Sequence, residues 1–197
     1  MEVIEIPLFQ DENKTEVDPL PYIDHPHVRG LRMSHSSAYL PVSTQKSILK
    51  HIYNNKWITV SKTRRQQHYG FIFDYKTLNI VKVGKVQPIP KWANDVFSYL
   101  ITIGFIDKRP TQLTVTEHCS EDRLGARIEG PNAGHEIIII TLGSVGEMLF
   151  RRAREQQKVY TVPGFIMTIK GDAKQCWTYE RLPMSAGTSV SLTFRHI

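Results

Sequence analysis

The sequence predicts an α+β fold: a double-stranded β-helix, or jelly roll, of about eight strands, with two packing helices before it and an extended arm at the N-terminus. Three observations carry this. Apolar residues recur at helical spacing in two stretches, both ahead of residue 104. From Gln112 onward the pattern changes to short strands with turn residues between them. Up to residue 41, five prolines mixed with acids indicate an extended arm rather than a helix or a central strand.

Taken in order, residues 1–40 form the arm. Pro7, Pro19, Pro21, Pro26 and Pro41 remove backbone donors, while acids mix with Leu20, Tyr22 and Ile23. Such a segment either packs on its own domain or orders against a partner. Residues 41–197 form one domain without internal repeats. Ser43 and Thr44 suit the cap of a helix over 45–54, with Ile48, Leu49, Ile52 and Tyr53 on one face. A strand is expected at 57–61, then a basic loop over 62–70 leading into an aromatic strand at 71–75. The second helix, 90–103, has a proline in its first turn, an apolar stripe of Trp92, Val96, Phe97 and Leu100, and Gly104 at its exit. The roll is expected from strands at 112–118, 126–129, 136–142, 146–151, 157–162, 165–170, 174–179 and 188–195.

Composition limits the function classes. The chain has 197 residues, 41% hydrophobic and 22% charged, which suits one folded core rather than a disordered chain. No run approaches the ~20 apolar residues of a membrane span. The N-terminus lacks the order of a secretory signal and is too acidic for a transit peptide. Cys119 and Cys176 are far apart and belong to no CxxC pattern, so reduced thiols and an intracellular location of unassigned compartment are expected. The net charge is +6, yet residues 1–20 hold six acids against Lys14 alone, leaving 24 basic and 13 acidic groups beyond them. An excess of that size favours a polyanion or an acidic protein surface, or is simply a solvated exterior. His25, His27 and His35 are too loosely spaced to predict a metal site.

Two groups of cations are candidate contacts. Lys62, Arg64 and Arg65 lie beside His68 and Tyr69, a mix of charge and stackable rings suited to nucleic acid or to an ordinary edge loop. Arg151, Arg152 and Arg154 form the densest basic run, at a strand connection. Strict alternation puts Ser189, Ser191, Thr193 and Arg195 on one strand face, and Thr114, Thr116 and His118 on another. Each polar face meets either solvent or a polar interior.

At this point the chain resembles the AlkB group of Fe(II)/2-oxoglutarate-dependent dioxygenases, most of all the branch that acts on modified tRNA wobble uridines. The resemblance runs from about Leu31 to the C-terminus. It rests on Arg64-Arg65 followed by His68-Tyr69-Gly70, Leu113-Thr-Val-Thr-Glu-His118, Gly125-Ala-Arg-Ile-Glu129, Ile140-Thr-Leu-Gly-Ser144 with Met148 and Phe150, Gly171-Asp-Ala-Lys with Trp177-Thr-Tyr179, and Ser191-Leu-Thr-Phe-Arg195. Chemistry in that family needs two imidazoles and one carboxylate around iron. The resemblance puts those ligands at Arg127, Glu129 and Tyr179, of which only Glu129 is an ordinary ligand. It puts the 2-oxoglutarate contacts at Thr116, His118, Ser189 and Arg195, where only Arg195 retains the family's residue type. It puts Arg64, Arg65, His68 and Tyr69 in the family's substrate-facing lid.

Three readings follow for Arg127: an internal cluster with Glu129 and Tyr179, an anion site shared with Arg195, or a rebuilt metal site drawing on Glu129, His118 or Cys119. The expectation is a non-catalytic pseudoenzyme without cofactor or catalytic residues. It would serve as a binding or scaffold subunit, docking on protein partners through residues 1–40 and reaching RNA through its basic surface, with no membrane association. The alternatives are an active nucleic-acid dioxygenase or demethylase with unconventional ligands, and a purely structural subunit whose arm threads between proteins.

Overall fold

The computed structural model describes residues 20–74, 77, 79–81, 86–184 and 186–197. In chain order the elements are β1 (Tyr22–Asp24), β2 (Leu31–Ser34), α1 (Val42–Tyr53), β3 (Ile58–Ser61), β4 (Arg64–Tyr69), β5 (Ile72–Asp74), β6 (Asn79–Val81) and α2 (Lys91–Thr102). They continue with β7 (Gln112–Cys119), β8 (Leu124–Arg127), β9 (Glu136–Gly143), β10 (Gly146–Arg152), β11 (Glu155–Thr161), β12 (Ile166–Lys170), α3 (Gly171–Gln175), β13 (Thr178–Arg181) and β14 (Thr188–Arg195).

The four isoleucines Ile137–Ile140 explain the layering. Alternation sends Ile138 and Ile140 to one face and Ile137 and Ile139 to the other, and all four are buried. A strand covered on both faces reads as a continuous apolar run. On one side Ile138 and Ile140 meet Ile48 and Ile52 of α1 and Val96, Phe97 and Leu100 of α2. On the other, Ile137 and Ile139 meet Met148, Phe150 and Tyr179 from a second sheet, together with Trp177, which precedes β13. The first sheet has eight strands, ordered β1-β2-β12-β9-β14-β7-β4-β3, and the second has four, ordered β11-β10-β13-β8. The pairings within both are antiparallel. This is the expected jelly roll, with helices on the outer face of the larger sheet. Phe97 of α2 meets Phe194 of β14 edge to face at 4.9 Å, joining the helix layer to the last strand.

Several local expectations need correction. Residues 1–19 of the expected arm lie outside the described residues, whereas residues 20–40 pack on the domain. There β2 pairs with β12, and Leu31 is fully buried. Prolines are tolerated because they flank these short strands rather than interrupt them. Pro41 is the N-cap of α1, with no side-chain cap from Ser43 or Thr44. The expected loop over 62–70 is mostly strand β4, which pairs with β7 from Arg64↔His118 to Tyr69↔Leu113. The strand expected at 174–179 begins only at Thr178, because Gly171 takes φ 51° and the chain closes one helical turn, α3, that buries Ala173. No described helix is long and apolar enough to cross a membrane.

Candidate functional site

The polar strand faces turn inward. Thr114, Thr116 and His118 of β7 and Ser189, Thr193 and Arg195 of β14 are all buried, so these faces line the space between the two sheets. Burial obliges each polar group to find a partner inside.

At one end, β8 and β13 pair through Arg127↔Tyr179, and Glu129 follows two residues after Arg127. Glu129 is buried, and Arg195, the last residue of β14, grips it from the opposite sheet in a fork: Nε donates to Oε2 at 3.1 Å and Nη2 to Oε1 at 3.1 Å. The third nitrogen, Nη1, donates to Oε1 of Gln112 at 3.1 Å, and Gln112 in turn donates to Thr114 Oγ1 at 2.7 Å. The Tyr179 hydroxyl donates to Glu129 Oε1. Arg127 lies against this group, with Nε 3.7 Å from Glu129 Oε1 and its guanidinium 4.7 Å from the centre of the Tyr179 ring. Burial alone would raise the Glu129 pKa. The Arg195 charge and hydrogen bonds, with Arg127 and Tyr179, outweigh it and hold the carboxyl below its ordinary range. Burial, then the Glu129 charge, push the Tyr179 hydroxyl well above its ordinary value, so it stays protonated as a donor.

These residues do not fit an iron ion. A divalent cation at Arg127, Glu129 and Tyr179 would face two guanidinium groups, one packed on the tyrosine and one holding the carboxylate. Binding would strip Glu129 of its fork and require a proton from a buried phenol.

The residues that the resemblance puts at the co-substrate positions also have partners inside the protein. His118 is buried; its Nδ1 lies 2.6 Å from Asp122 Oδ2 and its Nε2 lies 3.1 Å from Ser191 Oγ. Burial lowers the His118 pKa to about 4 despite the opposing Asp122 hydrogen bond, so the ring is neutral at neutral pH. A neutral ring beside a carboxylate donates from Nδ1, leaving Nε2 to accept from Ser191. Thr116 Oγ1 accepts from Gln66 Nε2 at 3.2 Å. Ser189 Oγ accepts from Arg181 Nη2 at 2.6 Å.

Arg181 is the residue that sequence reasoning missed. It is buried, and its guanidinium passes so close to Gly146 that a Cβ there would lie 2.6 Å from Nη2. A signal was available: Tyr179 and Arg181 are two apart on one strand and share a face. What remains between the sheets here is a cavity of about 20 Å³, lined by His118, Arg127, Arg181, Ser191, Thr193 and Met148 among others. That is room for about one water, far short of a five-carbon dicarboxylate. Cys119, offered as a ligand for a rebuilt metal site, is exposed.

The candidate contact cations lie on different sheets. Arg65 forks onto Glu117, with Nη2 to Oε1 at 3.0 Å, and lies 4.6 Å from the Trp57 ring. Arg64 points inward, where its charge acts on His118 and Asp122. His68 turns inward beside Thr114 at 3.4 Å, and burial, then Arg195, lower its pKa to about 4. Tyr69 is core, and its hydroxyl donates to Gln67 Oε1 at 2.9 Å, which removes it from any contact surface. The expectation of a stackable ring there fails because β4 is an inner strand between β3 and β7. On the smaller sheet Arg151 pairs with Glu180, and Arg152 pairs with Glu155 at 3.2 Å. Lys62 and Arg154 project from turns into solvent.

No family model matches the chain. Among curated proteins it is 25% identical over 176 residues to uncharacterized protein L905 of Acanthamoeba polyphaga mimivirus, covering 81% of each. It is 28% identical over 131 residues to the tRNA (carboxymethyluridine(34)-5-O)-methyltransferase ALKBH8 of Mus musculus, covering 64% of this chain but 20% of that protein. Among solved structures, OsALKBH1 superposes with a TM-score of 0.67 at 14% identity, covering 85% of this chain and 97% of the other. An oxidoreductase of the 2OG-Fe(II) oxygenase family from Burkholderia pseudomallei superposes with a TM-score of 0.63 at 11% identity, covering 84% and 83%. The chain is AlkB-like, with the fold of the 2OG-Fe(II) oxygenases.

Proposed function

We propose that this protein is a non-catalytic AlkB-like subunit that binds rather than reacts. One observation carries the reading: the buried Glu129 carboxylate is held by hydrogen bonds from Arg195 and Tyr179 with the Arg127 charge beside it, so the position an oxygenase would give to iron is filled by side chains. The 20 Å³ cavity beside it supports the same conclusion for the co-substrate. Its work then lies on its surface, within a larger assembly that residues 1–40 help it join. RNA is the favoured ligand of the basic exterior, an assignment supported by the net charge of +6 and by the tRNA-directed activity named for ALKBH8.

Succinate release from 2-oxoglutarate under iron loading tests the first half, and stoichiometric iron with turnover would overturn it. For the second half, RNA affinity of the purified chain is measured across salt. Affinity should fall steeply, and Lys62→Ala with Arg154→Ala should lower the log–log slope by roughly 0.7 per cation. Salt-independent binding, or none at low salt, removes RNA and leaves a protein scaffold.

A further inference from the structure

Away from the Glu129 cluster, one group of side chains has the composition of a metal site. His135 precedes β9, Glu136 is its first residue, and His196 follows the last residue of β14. In the β9–β14 ladder Arg195 stands opposite Ile137, so the next pair outward is His196 with Glu136. Alternation turns both to the helix-facing side of the sheet, the face opposite the one Arg195 uses to hold Glu129. His196 Nε2 lies 4.0 Å from Glu136 Oε2, and the rings of His135 and His196 stand 4.9 Å apart, tilted by 31°. One donor atom from each residue lies within 4.8 Å of the others, the only such group of histidine, cysteine and carboxylate donors among the described residues.

The backbone is shaped to bring them together. Gly134 takes φ 74°, and a Cβ there would lie 2.0 Å from the His196 carbonyl oxygen and 3.1 Å from its Cβ. Only a glycine lets the loop carrying His135 press this closely on His196. The donors are also poorly satisfied by protein. His196 Nε2 is buried and has no hydrogen-bond partner. Glu136 is buried too, and the ion-pair contact it makes among the described residues is the one with His196 at 4.0 Å.

We propose that His135, Glu136 and His196 bind a single divalent transition-metal ion of the Zn²⁺ class, through two imidazole nitrogens and one carboxylate oxygen. A tetrahedral ion with bonds of about 2.0–2.1 Å holds its donors roughly 3.4 Å apart, so the group closes by about 1 Å. Rotation of the exposed His135 side chain supplies most of that movement, and a shift of roughly 0.6 Å between the Glu136 and His196 side chains supplies the rest. Its exposure leaves the remaining coordination position to water. Imidazole donors select Zn²⁺, Ni²⁺ or Cu²⁺ over Mg²⁺ and Ca²⁺. The charge around the site reinforces this choice: Lys170, Arg32 and Lys108 act on the ligands, against Asp107 alone, and disfavour ions held mainly by charge. The bound ion would staple the start of β9 to the end of β14. The site is independent of the reading of the Glu129 cluster and holds whether or not that reading survives.

The test titrates Zn²⁺ into the untagged, chelator-stripped full chain against a chromophoric chelator, with Co²⁺ absorption as a second readout. One equivalent should bind and produce ligand-field bands. His135→Ala and His196→Gln should each weaken binding by roughly tenfold or more. A hundredfold excess of Zn²⁺ over Kd should raise Tm by about 5–10 °C in the wild type and not in the variants. Because His135 is exposed, its variant keeps the fold and keeps the test valid if His196→Gln does not. Less than half an equivalent bound, affinity unchanged in His135→Ala, or equal competition by Mg²⁺ would overturn the proposal.

Discussion

Replacing Arg195 with methionine probes the centre of the molecule most directly. Its side chain is fully buried, it holds both oxygens of a fully buried Glu129, and it supports Gln112. Removing one member of such a pair leaves an uncompensated buried charge, which costs about 3–5 kcal/mol. Arg127 and Tyr179 remain beside the carboxylate, and protonation of Glu129 offers a further escape, so the lower part of that range is expected at neutral pH. For a domain of this length each kcal/mol moves Tm by about 2–4 °C, which gives a fall of roughly 6–12 °C. The pH dependence has a definite sign. Glu129 has a folded pKa below its unfolded value, so the unfolded chain binds the proton first as pH falls. The stabilisation is present in full above the unfolded pKa of about 4.5 and is lost as pH falls through the folded value. Arg195→Met should remove this acid-side slope. Adding Glu129→Leu should cost less than the sum of the single changes, because the double variant buries no orphan charge. The assay is urea or thermal unfolding followed by circular dichroism across pH. A Tm loss under about 2 °C for Arg195→Met, or an additive cycle, would refute the claim that this pair is the keystone of the interior.

His118 and Gly134 give two further outcomes. His118, with a folded pKa of about 4 against 6.5 unfolded, contributes stability that is complete above pH 6.5 and is lost as pH falls toward 4. Ring-carbon NMR should show no titration of His118 down to about pH 5. His118→Gln should flatten the stability profile between pH 4 and 6.5, and a ring titrating near 6.5 would contradict its burial as a neutral donor to Asp122. Gly134→Ala combines an unfavourable φ with overlap onto the His196 carbonyl and should cost roughly 2–4 kcal/mol, read as a lower unfolding midpoint; unchanged stability would mean the loop does not press on His196.

The helices and the roll were legible because their signals are local. The stripes of α1 and α2 repeat with the helical period, and the Ile137–Ile140 run could only be a strand or helix buried on all sides. The eclipsed parts have physical causes. Tyr69 looked like a surface ring because its neighbours are cations, yet β4 is an inner strand, and its alternation sends Arg65, Gln67 and Tyr69 toward the helices and Arg64, Gln66 and His68 into the roll. The pairing of Glu129 with Arg195 rather than mainly with Arg127 depends on a residue 66 positions away on the other sheet, which spacing along one strand does not reveal. Arg181 carried the right alternation but no motif. His135, Glu136 and His196 were invisible for the same reason as Arg195: the β9–β14 ladder brings them together.

The interior polar residues form a matched set rather than a collection of separate losses. In the resemblance, an arginine is missing at Ser189, but the structure returns a guanidinium to that hydroxyl from Arg181 on the neighbouring sheet. A histidine is missing at Arg127, but the cation there packs on Tyr179, which itself stands where the other histidine is missing. Glu129, which would be an orphan without an ion, instead has Arg195. A buried carboxylate or hydroxyl left by the loss of an ion and its co-substrate would each cost free energy until something replaced the lost partner. Here Ser189, Tyr179 and Glu129 each have a cation against them, and the residual space is about 20 Å³. Paired in this way, the Glu129 carboxylate and the Ser189 hydroxyl avoid the cost that either would carry if buried alone.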